Sequence, residues 1–286
     1  AAMGVSSNLV SSKRVLFATD FSERATAALP YALSLALKPG GRLTVAHIVP
    51  MGPLGAGFPA HAWRSATAQC VREAQASLQR MEGQLAGVDH HGVVRSGDVC
   101  AEMNALVESE GIEVMVLGTH GRTGIGKAVF GSVAEELFRH ARCPVLTIGP
   151  NVSADPERVY ELHSILYPTY FSNESQPALA YATMLARERG SRLYLLHVTA
   201  DEPGSDKHFL EERLRELVPR ESCFACEPKA LVQSGVPGQV IVDVAKELAV
   251  DLVVIGPKRR SVMPGAMATT YRVVTQATCP VLTVRG

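Results

Sequence analysis

The residues with the clearest chemical capacity form one run, Val116-Leu117-Gly118-Thr119-His120-Gly121-Arg122-Thr123-Gly124-Ile125-Gly126-Lys127-Ala128-Val129-Phe130-Gly131-Ser132. It leaves an apolar segment that reads as a buried strand and enters a segment that reads as a helix starting near Ser132. A run of this kind can cradle phosphate. Its glycines let backbone N–H groups approach an oxyanion closely, and the first turn of the next helix adds unpaired donors in a favourable dipole. Ser132 can donate to a phosphate oxygen or simply cap its helix. Arg122 and Lys127 can touch phosphate or stand in water, and His120 can meet a bound phosphate or pack locally.

Two common phosphate loops do not fit the run. Gly121, Gly126 and Lys127 keep the G-x-x-x-x-G-K spacing, but Ala128 stands where a magnesium-binding Ser or Thr is needed. The strand before the run is also the fourth of its set, whereas such a loop follows the first. In the dinucleotide fingerprint Gly124 and Gly126 are followed by Val129 where a third glycine belongs.

The elements that position this run are duplicated along the chain. Val15-Leu-Phe-Ala-Thr-Asp-Phe-Ser is answered by Ile165-Leu-Tyr-Pro-Thr-Tyr-Phe-Ser, a displacement of 150 positions. Arg42-Leu-Thr-Val-Ala-His pairs with Arg192-Leu-Tyr-Leu-Leu-His, Ser96-Gly97 with Ser234-Gly235, and Cys143-Pro-Val-Leu-Thr-Ile with Cys279-Pro-Val-Leu-Thr-Val. The displacement has fallen to 138 by Gly97, so the first copy carries extra residues around Pro50 to Gln69. That stretch reads as a long loop, rich in Gly and Pro ahead of Trp63, and then a helical run; it can be a lid or plain surface.

Within the first copy, β-branched runs near 14–19, 42–49, 91–96, 113–118 and 144–149 alternate with amphipathic ones. Ser22 is the expected N-cap of a first helix that Lys38-Pro39-Gly40-Gly41 stops, and Glu102 to Ser109 fall in a helix closed by Gly111. Strand and helix in alternation imply a mostly parallel sheet covered on both faces. In such sheets ligands bind beyond the carboxyl ends of the strands, where the winding reverses. Asp20, Ile48 and the glycine run therefore hold the positions that matter.

The run resembles the ATP-binding members of the universal stress protein family, whose motif is G-x2-G-x9-G-[S/T]. Gly118, Gly121, Gly131 and Ser132 match it throughout. The resemblance extends over both copies, through Asp20-Phe-Ser, His47-Ile48 and the closing Cys-Pro-Val-Leu-Thr strand. It implies an α/β fold of two tandem Rossmann-like (adenine nucleotide alpha hydrolase-like) domains, each a five-stranded parallel sheet flanked by helices, over residues 1–150 and 151–286. It also implies that the last strands pair the two as an internal pseudo-dimer, which would remove two exposed edges; a further homodimer is left open. The implied cofactor is ATP, alone or with Mg2+. Asp20 would bind ribose hydroxyls or adenine, Ile48 would line the adenine pocket, and Gly118, Gly121, Gly131 and Ser132 would hold ribose and phosphates, with His120 and Arg122 close by. Asp20 could instead only cap the first helix.

The second copy departs from the motif. Tyr170 replaces Asp20, Arg259 and Thr269 replace two glycines, and only Gly256 and the hydroxyl of Thr270 survive. Its site is expected to be empty or to take something else. Lys258-Arg259-Arg260 at that loop can bind an anion or a partner, can reach toward the first half, or can be a solvated loop.

Composition sets the outer limits. The chain has 286 residues, 47% hydrophobic, with formal net charge zero. That suffices for two cored domains and gives no electrostatic footprint for nucleic acid or an anionic membrane. No long apolar segment appears, and six cysteines are too sparse for a disulfide scaffold, so the expected compartment is the cytoplasm. Cys223-Phe-Ala-Cys226 lacks the further ligands of a zinc site, and Cys143 and Cys279 read as small core residues. His47 and His197 match each other and suggest a shared structural task; His90-His91 reads as a loop entering the third strand. No general base stands out, so the expected function is an ATP-binding regulator in stress response with an unknown protein partner. A slow ATPase or adenylyl- or phosphoryl-transferring enzyme, and a nucleotide-independent scaffold, are the alternatives.

Overall fold

A computed structural model of the chain describes residues 13–37, 39–51, 60–119, 132–152, 161–199, 206–218, 225–256 and 265–285. The first half contains β1 (Arg14–Ala18), α1 (Glu23–Thr26), α2 (Leu29–Ala36), β2 (Arg42–Pro50), α3 (Ala60–Met81), β3 (Asp89–Gly97), α4 (Val99–Glu110), β4 (Val114–Gly118), α5 (Ser132–His140) and β5 (Val145–Ile148). The second half repeats the order with β6 (Ser164–Thr169), α6 (Gln176–Arg189), β7 (Arg192–Thr199), α7 (Lys207–Glu216), β8 (Lys229–Ser234), α8 (Pro237–Glu247), β9 (Leu252–Ile255), α9 (Gly265–Gln276) and β10 (Val281–Thr283).

All ten strands form one sheet in the order β3-β2-β1-β4-β5-β10-β9-β6-β7-β8. Pairing is parallel within each half, as the unbroken apolar character of the central strands requires, and Leu16, Phe17, Leu43, Val45 and Val116 are fully enclosed. Each such side chain contributes about 1.5–3 kcal/mol of apolar burial. Helices cover both faces. One apolar cluster joins β1 residues Val15 and Phe17 to Leu35 of α2, Leu185 of α6 and Leu214 of α7; the other joins Leu16 to Leu106 of α4, Leu137 of α5, Ile241 of α8 and Val273 of α9.

The halves meet at their last strands. β5 and β10 pair antiparallel, with Leu146 opposite Leu282. Thr147 Oγ1 donates to the Val281 carbonyl at 2.9 Å, and Asn151 Nδ2 donates to the Gln276 carbonyl at the end of α9 at 3.2 Å. The pairing buries two edges that a separate five-stranded sheet would leave open.

Local signals explain most boundaries. Ser22 caps α1 through the Ala25 amide, and Gly111 closes α4 in a left-handed conformation. The expected first helix is broken in two, because Pro30 has no N–H for the Thr26 carbonyl and its ring would collide with it. One further expectation needs correction. His90 and His91 lie inside β3, whose ladder with β2 begins at Arg42 opposite Asp89. The helical run expected in the extra length of the first copy is α3, which has 22 residues where its counterpart α7 has 10. The remainder of that insertion, 52–59, lies outside the described residues.

Candidate functional site

The strand order reverses between β1 and β4, because β2 and β3 extend the sheet on one side and β5 on the other. The carboxyl ends of β1 and β4 therefore bound a crevice, the place where α/β sheets receive ligands. Ala18 is level with Leu117 across these strands, which sets Thr19 and Asp20 against Gly118 and Thr119.

Asp20 is half-buried at this edge. Its Oδ1 accepts the Ser22 amide at 3.0 Å, while the helix amide of Ala25 goes to Ser22 Oγ at 3.1 Å. The cap of α1 is thus Ser22, and Asp20 orders the turn before it. Ile48 lies two residues beyond Ala46, near the end of the neighbouring strand, in the same apolar cluster as Cys100 and Met103, and is only 4% exposed.

Gly118 is held by the fold itself. A Cβ there would lie 2.7 Å from the Arg24 carbonyl oxygen and 3.1 Å from the Ala25 Cα, both backbone atoms of α1. Gly256 is in the same position in the second half, where a Cβ would lie 2.9 Å from the Ser175 Cα. The glycine that survives in both copies is the one that lets a helix lie on the strand end.

His120, Gly121, Arg122 and Gly131 lie outside the described residues, as do Lys127 and the basic cluster at Lys258 to Arg260. Ser132 opens the described part of α5. Its counterpart Thr270 sits five residues into α9 and is 5% exposed. An amide that deep in a helix is consumed by its own turn, so Thr270 offers no free N–H to a phosphate.

Sequence reasoning did not foresee a second device at this edge. Phe21 has a φ of 60° and Phe171 a φ of 61°, a left-handed conformation that costs a bulky residue about 1–2 kcal/mol. In each half the threonine two residues earlier accepts the phenylalanine amide, at 2.9 Å for Thr19 and 3.0 Å for Thr169. Each ring then rests on a histidine, His47 or His197, with centroids 4.9 and 4.5 Å apart. His47 Nδ1 lies 2.7 Å from the Thr19 carbonyl and His197 Nδ1 2.9 Å from that of Thr169. A carbonyl can only accept, so Nδ1 carries the ring proton in both. The signal was available in the repeated Thr-x-Phe-Ser and the matched histidines.

The second crevice is furnished differently. Tyr170, in the place of Asp20, is half-buried with its hydroxyl 3.4 Å from Glu174 Oε2. Burial, together with the Glu174 carboxylate, pushes its phenol above the ordinary value. Arg213 of α7 lies 4.2 Å above the Phe171 ring, adding a cation to that wall.

Residues 11–149 and 161–285 both match the model of the universal stress protein family. The chain belongs to that family. A universal stress protein of Mycolicibacterium smegmatis is 24% identical over 294 residues, covering 95% of this chain and 96% of the relative. One from Methanocaldococcus jannaschii is 27% identical over 139 residues, covering 48% of this chain and 81% of its own length. The crystal structure of a universal stress protein from Archaeoglobus fulgidus superposes over 96% of this chain and 98% of its own, with a TM-score of 0.69 and 20% identity, a likeness of fold. Among the described residues no helix is long and apolar enough to cross a membrane, and no group of three His, Cys, Asp or Glu side chains could hold a metal ion.

Proposed function

We propose that this universal stress protein is a nucleotide-dependent regulator whose first domain, residues 1–150, binds ATP and whose second, 151–286, does not. The observation that carries the reading is the unequal furnishing of two equivalent crevices. The first has a carboxylate, Asp20, fixed at the strand end by the Ser22 amide at 3.0 Å. The second has a tyrosine, Tyr170, there, half-buried beside Glu174.

A carboxylate suits a ribose diol, Ile48 offers apolar surface to adenine, and Gly118, Gly121, Gly131 and Ser132 supply backbone and hydroxyl donors to phosphates. His120 and Arg122 belong to the same stretch of sequence, and Mg2+ would come with the phosphates. Occupancy would favour one conformation of the protein and change the surface seen by a protein partner.

Calorimetric titration of ATP and Mg2+ tests the reading, with an Asp20→Ala, Gly131→Val double variant as control. The expected result is one site per chain, lost in the variant. A nucleotide-free wild-type protein that takes up no ATP sinks the proposal. Release of ADP or pyrophosphate during the titration would move the protein into the enzyme class.

A further inference from the structure

The opposite end of the first half, where the strands begin, holds a second polar cavity. Arg14 at the start of β1, Arg42 and Thr44 of β2, His91 of β3 and Glu110 at the end of α4 are among the residues lining a cavity of about 380 Å³. That volume is within the range of small-molecule sites. β1 and β2 are five and nine residues long, so roughly 15–30 Å of strand separates this end from the nucleotide crevice.

The chemistry of the cavity is divided. Glu110 is its anionic wall. Burial pushes that carboxyl up, but hydrogen bonds from Thr44 Oγ1 at 2.6 Å and His91 Nε2 at 3.1 Å, with the nearby charges of His91 and Arg42, outweigh burial and leave it below its ordinary value. The two guanidiniums are the cationic wall, each 55% exposed. Arg14 meets Glu113 at 3.8 Å and Arg42 meets Asp89 at 3.7 Å. Charge-assisted hydrogen bonds are about 2.7–2.9 Å, so among the described residues neither arginine commits a donor to a carboxylate. Two planar donor forks over a cavity suit an oxyanion, and a carboxylate wall suits a donor on the same ligand.

The second half does not keep these side chains. Matching strand registers set Tyr194 in the place of Thr44 and Lys229 in that of His91, and the displacement of 138 positions sets Leu248 in that of Glu110. Tyr194 is only 8% exposed, and its side-chain hydrogen bond holds Arg192, the counterpart of Arg42, above its ordinary pKa. The polar set that lines the cavity in one copy is thus replaced by a buried phenol, a lysine and a leucine in the other.

We propose that the first half carries a second ligand site at the amino ends of its strands, which binds a small metabolite bearing a carboxylate or phosphate oxyanion between Arg14 and Arg42 and a hydroxyl or ammonium donor against Glu110. The site is independent of the nucleotide proposal.

The test is amide and guanidinium NMR titration of the full chain with glycerol phosphate in one arm and L-serine in the other, each with saturating ATP and Mg2+. The expected result is a saturable shift at Arg14, Arg42, Thr44 and His91 with one of the probes. A response to glycerol phosphate alone assigns a phosphorylated ligand, and a response to L-serine alone assigns a carboxylate. Thr44→Tyr, which copies the second half, and the surface change Arg42→Gln should each weaken that binding by at least about tenfold, 1.4 kcal/mol. Because Thr44 is buried, Arg42→Gln decides if the tyrosine variant does not fold. Absence of a saturable local shift with either probe, or binding undiminished in Arg42→Gln, overturns the proposal; shifts confined to Gly118 and Thr119 do the same.

Discussion

At the carboxyl ends of β1 and β6 the two halves of the molecule keep some features and lose others. Both keep the threonine hydroxyl that catches a phenylalanine amide, the left-handed phenylalanine, and the histidine that donates to the threonine carbonyl. Both keep the strand-end glycine under a helix. They differ at Asp20 against Tyr170, and in the sequence at Gly121 against Arg259 and Gly131 against Thr269. The shared set turns a parallel strand into the helix that covers it, a task any copy of this fold must perform. The set present in one half only is not required for that task, since the second half performs it with Tyr170 in the place of Asp20, and it can serve a ligand. The duplication separates the two kinds of residue, which one copy could not have done.

The strongest test of that separation is steric. Gly118→Val and Gly256→Val should each destabilise the protein by about 1–3 kcal/mol, because a Cβ meets backbone that cannot swing aside. Urea unfolding measures both. A cost in one half alone would mean that the strand-end glycine is not a requirement shared by both copies.

A smaller effect is expected from the histidines. His47→Leu and His197→Leu each leave a threonine carbonyl without its donor, at about 1–2 kcal/mol. The two costs should agree within about 0.5 kcal/mol without nucleotide. With ATP present, only His47→Leu should alter the stabilisation that ligand adds.

The smallest effect concerns acid. Glu110 titrates below its unfolded value of 4.5, while the matching residue of the second half is Leu248. A carboxylate with a lowered pKa contributes stability that is complete above the unfolded value and disappears as pH falls through the folded one. Glu110→Gln should therefore flatten the loss of stability between pH 6 and pH 3, measured by urea midpoints, by under about 1 kcal/mol. An unchanged acid limb would remove Glu110 from the list of asymmetric features.

The repeat, the strand and helix alternation and the positions at the strand ends were legible along the chain. These signals are local: β-branched runs, a capping serine at Ser22 and a left-handed glycine at Gly111 act on their immediate neighbours. The motif glycines looked alike for the same reason. Nothing near Gly118 announces that the Arg24 carbonyl will lie 2.7 Å from its missing Cβ, because that contact joins segments ninety-four positions apart in the sequence. The break at Pro30 was readable in principle, since a proline inside a helical pattern forbids the turn before it.

By itself the sequence determined that the chain holds two copies of one parallel α/β unit, and which copy retains the glycine motif. Tertiary structure decided which glycine the fold needs, that β5 and β10 join two sheets into one, and that Arg14, Arg42, Thr44, His91 and Glu110 surround a common space. The physical reason is distance along the chain. Periodicity and capping are set within a few residues, whereas steric closeness, edge pairing and the sharing of charge arise only when a packed sheet brings remote strands together.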